Sequence, residues 1–187
     1  MRKWFYAIII ALTGFIACTG NKKVPDVSHI KVNIEVQRFE QDFFAIDTNH
    51  IAAGITLLQQ KYPVFLADFI QHILGLSLTD PGGRSDTAIK MFLRDYRLVK
   101  DTASKVFSNF AGIENEVKKG LQFTKYYFPS YHAPEKLITF IGPLDAIFQT
   151  TLGKTGDVIT QDALAVGLQL HIGNDASLYQ SRIAQSL

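Results

Sequence analysis

The thiol of Cys18 is the side chain whose position in the sequence predicts the most definite chemistry. It follows a cationic start, Met1–Lys3, and an uncharged apolar run, Trp4–Thr13, with the small residue Ala17 directly before it. This order is the signature of a secretory signal, and the apolar run is shorter than the roughly 20 residues that a membrane span needs. We therefore expect cleavage after Ala17 and lipidation of Cys18, as in a bacterial lipoprotein.

Lipidation would turn the new N-terminus into a membrane anchor. Acyl chains, palmitate among them, on the thiol and amine of Cys18 would each bury methylene groups at about 0.8 kcal/mol apiece, so the anchor would be permanent. The alternative is an ordinary signal peptide followed by a buried cysteine. Because Cys18 is the only cysteine of the chain, lipid rather than a disulfide is expected to consume its thiol.

The sequence divides into three parts. Residues 1–17 are the expected signal peptide, residues 18–29 a polar, lipidated tether, and residues 30–187 a single domain that we expect to be incomplete at its C-terminus. Thr19 follows the cysteine and no acidic cluster does. We therefore expect a lipid-anchored, periplasm-facing protein of the cell envelope, with the choice between inner and outer membrane left open.

The charge of the mature chain excludes one class of partner. The chain has 19 basic and 17 acidic residues, and the segment 1–18 carries Arg2, Lys3 and no acid. Removing it leaves 17 of each sign and no net charge, so the sequence shows no preference for nucleic acid. The expected partners are the membrane, through the acyl chains on Cys18, and other envelope proteins.

The remaining residues that could do chemistry form no catalytic motif. No two histidines have the spacing of a zinc-binding His-Glu-x-x-His helix, and no Gly-x-Ser-x-Gly is present. Gly153–Gly156 resembles the end of a phosphate-binding loop, but position 148 is Phe, and we interpret it as a hairpin turn. We expect no metal site, cofactor or catalytic residue. The histidines are His29, His50, His72, His132 and His171.

Two acid pairs and one aromatic segment have both a structural and a functional interpretation. The pairs Asp42 with Asp47 and Asp80 with Asp86 could meet in space, but caps and turns explain each residue locally. The segment Lys125–His132 is the densest aromatic stretch. Packing of a helix end on the sheet is the preferred interpretation, and a binding surface or a small-ligand pocket is the alternative.

The elements that position these residues change character along the chain. Ile30–Gln37 alternates apolar and polar residues, which predicts a strand that continues through Arg38–Glu40. The compact apolar run Leu137–Ile141 and the alternating run Val166–Ile172 predict two more strands. Between the first strand and these two the chain has helical periodicity, so we expect an α+β fold with helices on one face of an antiparallel sheet.

The helices have recognisable boundaries. Asp47 or Thr48 is expected to cap the first of them, and Ser85 or Asp86 to cap a later one that follows the turn at Asp80–Gly83. Gly75 is the expected end of a helix that begins near Pro63. The last predicted helix runs from about Ile113 to Tyr127.

Together these residues resemble the GldB-type gliding-motility lipoprotein family of Bacteroidetes. The resemblance runs from residue 38 to about residue 175, in family order, and each motif is of modest specificity alone. The matching stretches are Arg38–Phe44, Lys61–Pro63 with Phe65, Lys125–Pro129, Thr139–Gly142 and Gly167–Gly173.

This resemblance implies a non-enzymatic, exported and lipid-anchored component of the gliding or linked protein-secretion machinery, with no assigned reaction. A more distant similarity to putative zinc-dependent peptidases implies the N-terminal part of a zincin-like fold without its zinc motif. The alternative function is therefore a degenerate or truncated zinc metallopeptidase-like protein. Family members continue beyond the position of Leu187, which is why the domain is expected to be incomplete.

Overall fold

The computed structural model describes residues 24–80, 82–144, 148–150, 153–160 and 163–173. The expected signal peptide, Cys18 and the start of the tether lie outside these ranges, as does the polar segment from residue 174 to Leu187. In the described part of the chain, no helix is both long enough and apolar enough to cross a membrane.

A four-stranded mixed sheet organises the fold. Its strands are β1 (Glu35–Arg38), β2 (Lys136–Phe140), β5 (Val158–Ile159) and β6 (Ala163–Gly167), in the order β1–β2–β6–β5. The α+β class predicted from the sequence is confirmed. The prediction of an antiparallel sheet is wrong, because β1 pairs with β2 and β2 with β6 in parallel, and within this sheet only β5 and β6 run antiparallel.

The parallel pairing follows from the connection between the first two strands. About 100 residues, most of them helical, separate β1 from β2, and such a crossover returns the chain to the same end of the sheet. We call the end where β1 and β2 begin the amino edge and the end where they finish the carboxyl edge. A separate hairpin, β3 (Phe148–Thr150) with β4 (Gly153–Thr155), lies between β2 and β5 in sequence. Gly153–Thr155 is therefore a strand of that hairpin rather than its turn.

Six α-helices of the described residues fill most of the connection between β1 and β2. Phe69–Ile73 is a single π-helical stretch that continues α3, and Gly75 follows it with φ +65°, as expected for a residue that ends a helix. The last helix runs close to the predicted bounds. The helices are α1 (Phe39–Phe43), α2 (Ile51–Lys61), α3 (Phe65–Asp68), α4 (Arg84–Asp95), α5 (Arg97–Val106) and α6 (Ala111–Tyr127).

Helices cover both faces of the sheet, and not one face as predicted. On one face, Ile138 and Phe140 of β2 join the main core with α1 to α5. On the other, Leu137 packs against Leu121 of α6 and Ile34 in a smaller cluster. Strand β2 is thus buried on both sides, which explains why its sequence is a continuous apolar run rather than an alternating one.

The centre of the main core is a cluster of phenylalanine rings. Phe39 and Phe43 of α1 lie within 5 Å of the Phe69 ring, centroid to centroid, at steep interplanar angles. Phe140 of β2 reaches the same ring at 6.0 Å. Such edge-to-face contacts add to the hydrophobic gain from burial, so these rings join α1, α3 and the sheet. The rings of Phe39, Phe43, Phe65, Phe69 and Phe140 are almost completely buried.

Two strands differ in extent from the sequence prediction. Strand β1 begins only at Glu35 and ends at Arg38. It ends there because α1 begins at Phe39, and the Phe39 and Phe43 side chains reach the core from that helix. Strand β6 begins at Ala163, and a 3-10 turn, Leu168–Leu170, replaces the end of the predicted strand. In both cases the packing of side chains in the folded protein decides where the strand ends, and the alternation of apolar and polar residues does not.

The helix caps also differ from the prediction. Helix α2 begins at Ile51 without a side-chain cap, and the Asp47 carboxylate instead accepts the backbone N–H of Asn49. At α4 the capping group is Asp80, since its carboxylate accepts the backbone N–H groups of Arg84 and Ser85.

Neither Ser85 nor Asp86 caps α4, because the chain turns back on itself just before the helix. Gly83 adopts a left-handed conformation with φ +66°, which glycine reaches without the strain that a Cβ would cause. This turn brings the side chain of Asp80 over the exposed N–H groups of the first helical turn. The expected turn at Asp80–Gly83 is thus confirmed.

Candidate functional site

The expected lipidation residue, Cys18, lies outside the described residues. The structure therefore describes the domain that an anchor at Cys18 would hold at a membrane. The histidines are spread over the fold. His50, His72 and His171 each lie near a single carboxylate, at 2.8, 4.0 and 3.3 Å. Among the residues with described positions, no group of three or more His, Cys, Asp or Glu side chains could hold a metal ion.

In the two acid pairs, Asp42, Asp47 and Asp80 each bond to groups other than the paired acid. Asp42 accepts hydrogen bonds from Lys61 Nζ, at 2.5 Å, and from the Tyr62 hydroxyl, and so joins α1 to the end of α2. The hydrogen bond from the Asn49 backbone N–H lowers the pKa of the Asp47 carboxyl. In the same way, the backbone N–H of Gly82 is the main cause of the lowered pKa of Asp80. Asp47 and Asp80 therefore stabilise local turns, as the sequence predicted. For Asp42 the local explanation is wrong, because its contacts join two helices.

A buried ion pair at the carboxyl edge was missed by sequence reasoning. Arg38 Nε donates to Glu40 Oε1 at 2.6 Å, and Thr139 Oγ1 donates to Glu40 Oε2 at 2.5 Å. Arg38 Nη1 donates to the carbonyl of Phe107, and the guanidinium lies 5.2 Å from the centre of the Phe110 ring.

Glu40 is only 1% exposed, so this network holds β1, β2 and the segment after α5 together from inside the fold. The available signal was a charged pair in the stretch Arg38–Phe44. The predicted strand would place both side chains on the same face as Ile34 and Val36, a face expected to be apolar. The helix that begins at Phe39 instead brings the Glu40 carboxylate to Thr139 in the interior.

The aromatic segment at the end of α6 lies on the surface. Tyr126, Tyr127 and Phe128 are 44%, 61% and 64% exposed, and Tyr131 packs partly against the smaller core cluster. The preferred interpretation, in which this helix end packs on the sheet, is therefore wrong for three consecutive aromatic side chains. The alternative of a binding surface fits their exposure.

A groove of about 980 Å³ adjoins these aromatic residues. Its walls are the segment 31–35, which ends at the first residue of β1, and the segment 129–136, which ends at the first residue of β2. Side chains of both charges line it, so its character is polar. The charged and ionisable members are Lys31, Glu35, Lys125, His132, Glu135 and Lys136.

Helix α6 connects the two edges of the sheet. Near its start, Phe110 lies against Arg38 at the carboxyl edge. Near its end, Gln122 Nε2 donates to the carbonyl of Ile30 at 2.8 Å, and Lys125 Nζ to that of Lys31 at 3.5 Å. A helix of 17 residues is about 25 Å long. The groove and the exposed aromatic residues therefore lie at the amino edge, where the chain enters the domain.

A family model described as gliding motility protein GldB, and labelled as a lipoprotein model, matches residues 20–186. No curated protein and no solved structure matches the chain.

Proposed function

The chain belongs to the gliding motility protein GldB family, and from this premise we propose that it is a lipid-anchored, non-enzymatic component of the envelope machinery for gliding and the linked protein secretion. The observation that carries the proposal is the family match over nearly the whole chain. Its association with gliding motility follows from the family, whereas the anchor and the absence of catalysis are parts of the proposal.

The position of Cys18 supports the anchor. It directly follows a segment with the three parts of an export signal, and the matching family model starts at residue 20, two residues later. Three acyl chains at this position would keep the domain at a membrane surface. The periplasm-facing side is the side on which an exported, lipidated chain arrives.

The buried ion pair supports a structural rather than a catalytic role for the domain. Arg38 and Glu40, the most deeply buried ion pair of the described residues, bridge strands and a loop. A component of a machine needs a stable domain held at a fixed place and surfaces that bind neighbours. The proposed partners are the membrane and other envelope proteins of the machinery.

Genetic complementation tests this function. In a gliding host, deletion of the gene should abolish spreading on agar, and the wild-type gene should restore it. The Cys18→Ala variant should fail to restore spreading and should lack the acyl chains in its mass spectrum, since it keeps the domain but loses the anchor.

Asn21→Ala is the matched control, because it changes the tether and keeps the cysteine, and it should restore spreading. Normal spreading of the deletion strain would contradict a role in gliding. Full restoration of spreading by the Cys18→Ala variant would contradict the anchor but not the role in gliding. The two results therefore test different parts of the proposal.

A further inference from the structure

Three consecutive aromatic side chains at the end of α6 are exposed, and the Tyr126 and Tyr127 rings are in contact, with centroids 5.0 Å apart. The other large apolar side chains that are exposed, such as Leu57, Met91 and Ile159, are not adjacent in sequence. A single exposed apolar side chain is ordinary, whereas a contiguous group marks a surface that binds something. We call Tyr126, Tyr127 and Phe128 the aromatic patch.

The aromatic patch lies at the end of the molecule where the tether leaves it. The segment at Ile30 and Lys31 contacts the last turns of α6, and Val24, the first described residue, is 76% exposed. Five residues lie between Cys18 and Val24, and even a fully extended chain spans only about 21 Å over those six steps. An anchor at Cys18 would therefore hold the amino edge close to the membrane.

The chemistry of this edge matches the interface of a bilayer. Tyrosine is enriched where membranes meet water, because its ring is apolar and its hydroxyl remains hydrated. Lys31 and Lys125 flank the patch, and Lys22 and Lys23 lie in the tether. Lysines close to a membrane are attracted by anionic headgroups. Glu35 and Glu135 in the groove limit this attraction, so the rings are the main contact.

We propose that the aromatic patch, with Lys31 and Lys125, rests in the headgroup region of the bilayer that carries the anchor. This inference rests on the proposed anchoring at Cys18, and it adds an orientation to it. The amino edge lies on the membrane, and the carboxyl edge, one length of α6 away, is presented to the partners of the machine.

Depth-dependent fluorescence quenching of the acylated, full-length protein in vesicles of phosphatidylethanolamine and phosphatidylglycerol tests the orientation. Acylation blocks Cys18, the only natural cysteine, so a dye reacts only with an introduced thiol. Ser130→Cys places it beside the patch, and Ser108→Cys, the matched control, places it just before the other end of α6. Both serines are exposed.

A nitroxide at headgroup depth should reduce the emission of the dye at position 130 about twofold, since interfacial groups sit within about 5–10 Å of the boundary. Emission at position 108 should not change. Adding Tyr127→Ser and Phe128→Ser to the Ser130→Cys variant should remove most of the quenching, because these exposed side chains are the proposed contact.

Three different results would contradict either the membrane contact of the aromatic patch or the anchoring at Cys18 on which it rests. An acylated protein that shows no quenching at position 130 would overturn the patch and leave the anchor intact. A dye that is unquenched in lipid vesicles, but shielded from aqueous iodide in native envelopes, would show that a protein covers the patch and would also overturn the proposal. A chain without acyl groups would contradict the anchor. Its Cys18 thiol would then be free, so Cys18→Ala is added to leave position 130 as the only labelled thiol, and the quenching on added vesicles decides the patch.

Discussion

Arg38 Nε and Glu40 Oε1 meet at 2.6 Å at the carboxyl edge, where the Glu40 side chain is only 1% exposed. The pair Arg94–Asp95 has the same distance of 2.6 Å between nitrogen and oxygen, but its side chains are 70% and 40% exposed. Two ion pairs of equal length thus lie in very different surroundings. Burial rather than distance should therefore decide how much each pair contributes to the free energy of unfolding.

Replacing Arg38 by Met should lower the free energy of unfolding by about 3–5 kcal/mol, because it leaves the buried Glu40 carboxylate without its cation. Arg94→Met should change the free energy of unfolding very little, since water solvates the exposed partner. Urea unfolding followed by circular dichroism measures both variants. Adding Glu40→Gln to Arg38→Met should restore part of the loss. Equal stability of the Arg38→Met variant and the wild type would contradict the structural role of the pair.

The phenylalanine rings give a second contrast between buried and exposed positions. Phe69→Ala should cost about 3–5 kcal/mol, because it removes the ring that contacts Phe39, Phe43 and Phe140 and leaves a cavity. Phe128→Ala, at a ring that is 64% exposed, should change the free energy of unfolding by no more than about 0.5 kcal/mol. The same urea titration compares them. A large loss for Phe128→Ala would show that the aromatic patch packs within the fold.

Two glycines should respond to alanine with opposite signs. At Gly167, at the end of β6, a Cβ would meet Gln169 Nε2 at 2.9 Å and the Gly156 carbonyl oxygen at 3.0 Å, so Gly167→Ala should be destabilising. At Gly120, inside α6, a Cβ would meet nothing within 4 Å, and Gly120→Ala should stabilise by about 0.5–1 kcal/mol. Thermal unfolding midpoints report both signs, and a stabilised Gly167→Ala variant would refute the close approach.

Asp80 should make the stability of α4 depend on pH in the acid range. The backbone N–H groups of Gly82 and Ser85 hold its pKa below the ordinary value of 3.8. Its contribution is therefore complete above that value and is lost as the pH falls through the lowered pKa of the folded state. Asp80→Asn lacks this titration, so the difference in unfolding midpoint between wild type and variant should shrink as the pH is lowered below 4. A difference that is constant with pH would exclude Asp80 as the titrating cap.

The features that sequence reasoning predicted correctly depend on near neighbours in the chain. Helix α6 follows from apolar residues at helical spacing between Ile113 and Tyr127. Strand β2 follows from its apolar run, and the end of the π-helical stretch follows from Gly75. In each case one short window of sequence contains the whole signal, because periodicity and left-handed glycines are properties of the local backbone.

The features that sequence reasoning missed depend on residues far apart in the chain. The buried Glu40 carboxylate accepts a hydrogen bond from Thr139, 99 residues away, and no pattern near Glu40 contains that information. The parallel direction of β1 and β2 depends on the path of all the intervening helices. The exposure of Tyr127 and Phe128 likewise depends on where α6 ends relative to the sheet. An aromatic-rich segment can be buried in a core or exposed on a surface, so its composition alone does not predict exposure.

The place of β1 in the sheet has a consequence for the order in which the chain can fold. Its parallel partner begins at Lys136, opposite Glu35, so pairing β1 with β2 closes a loop of about 100 residues. Helical segments with local contacts form much faster than such distant pairings. The helices between the two strands are therefore expected to form before β1 pairs with β2.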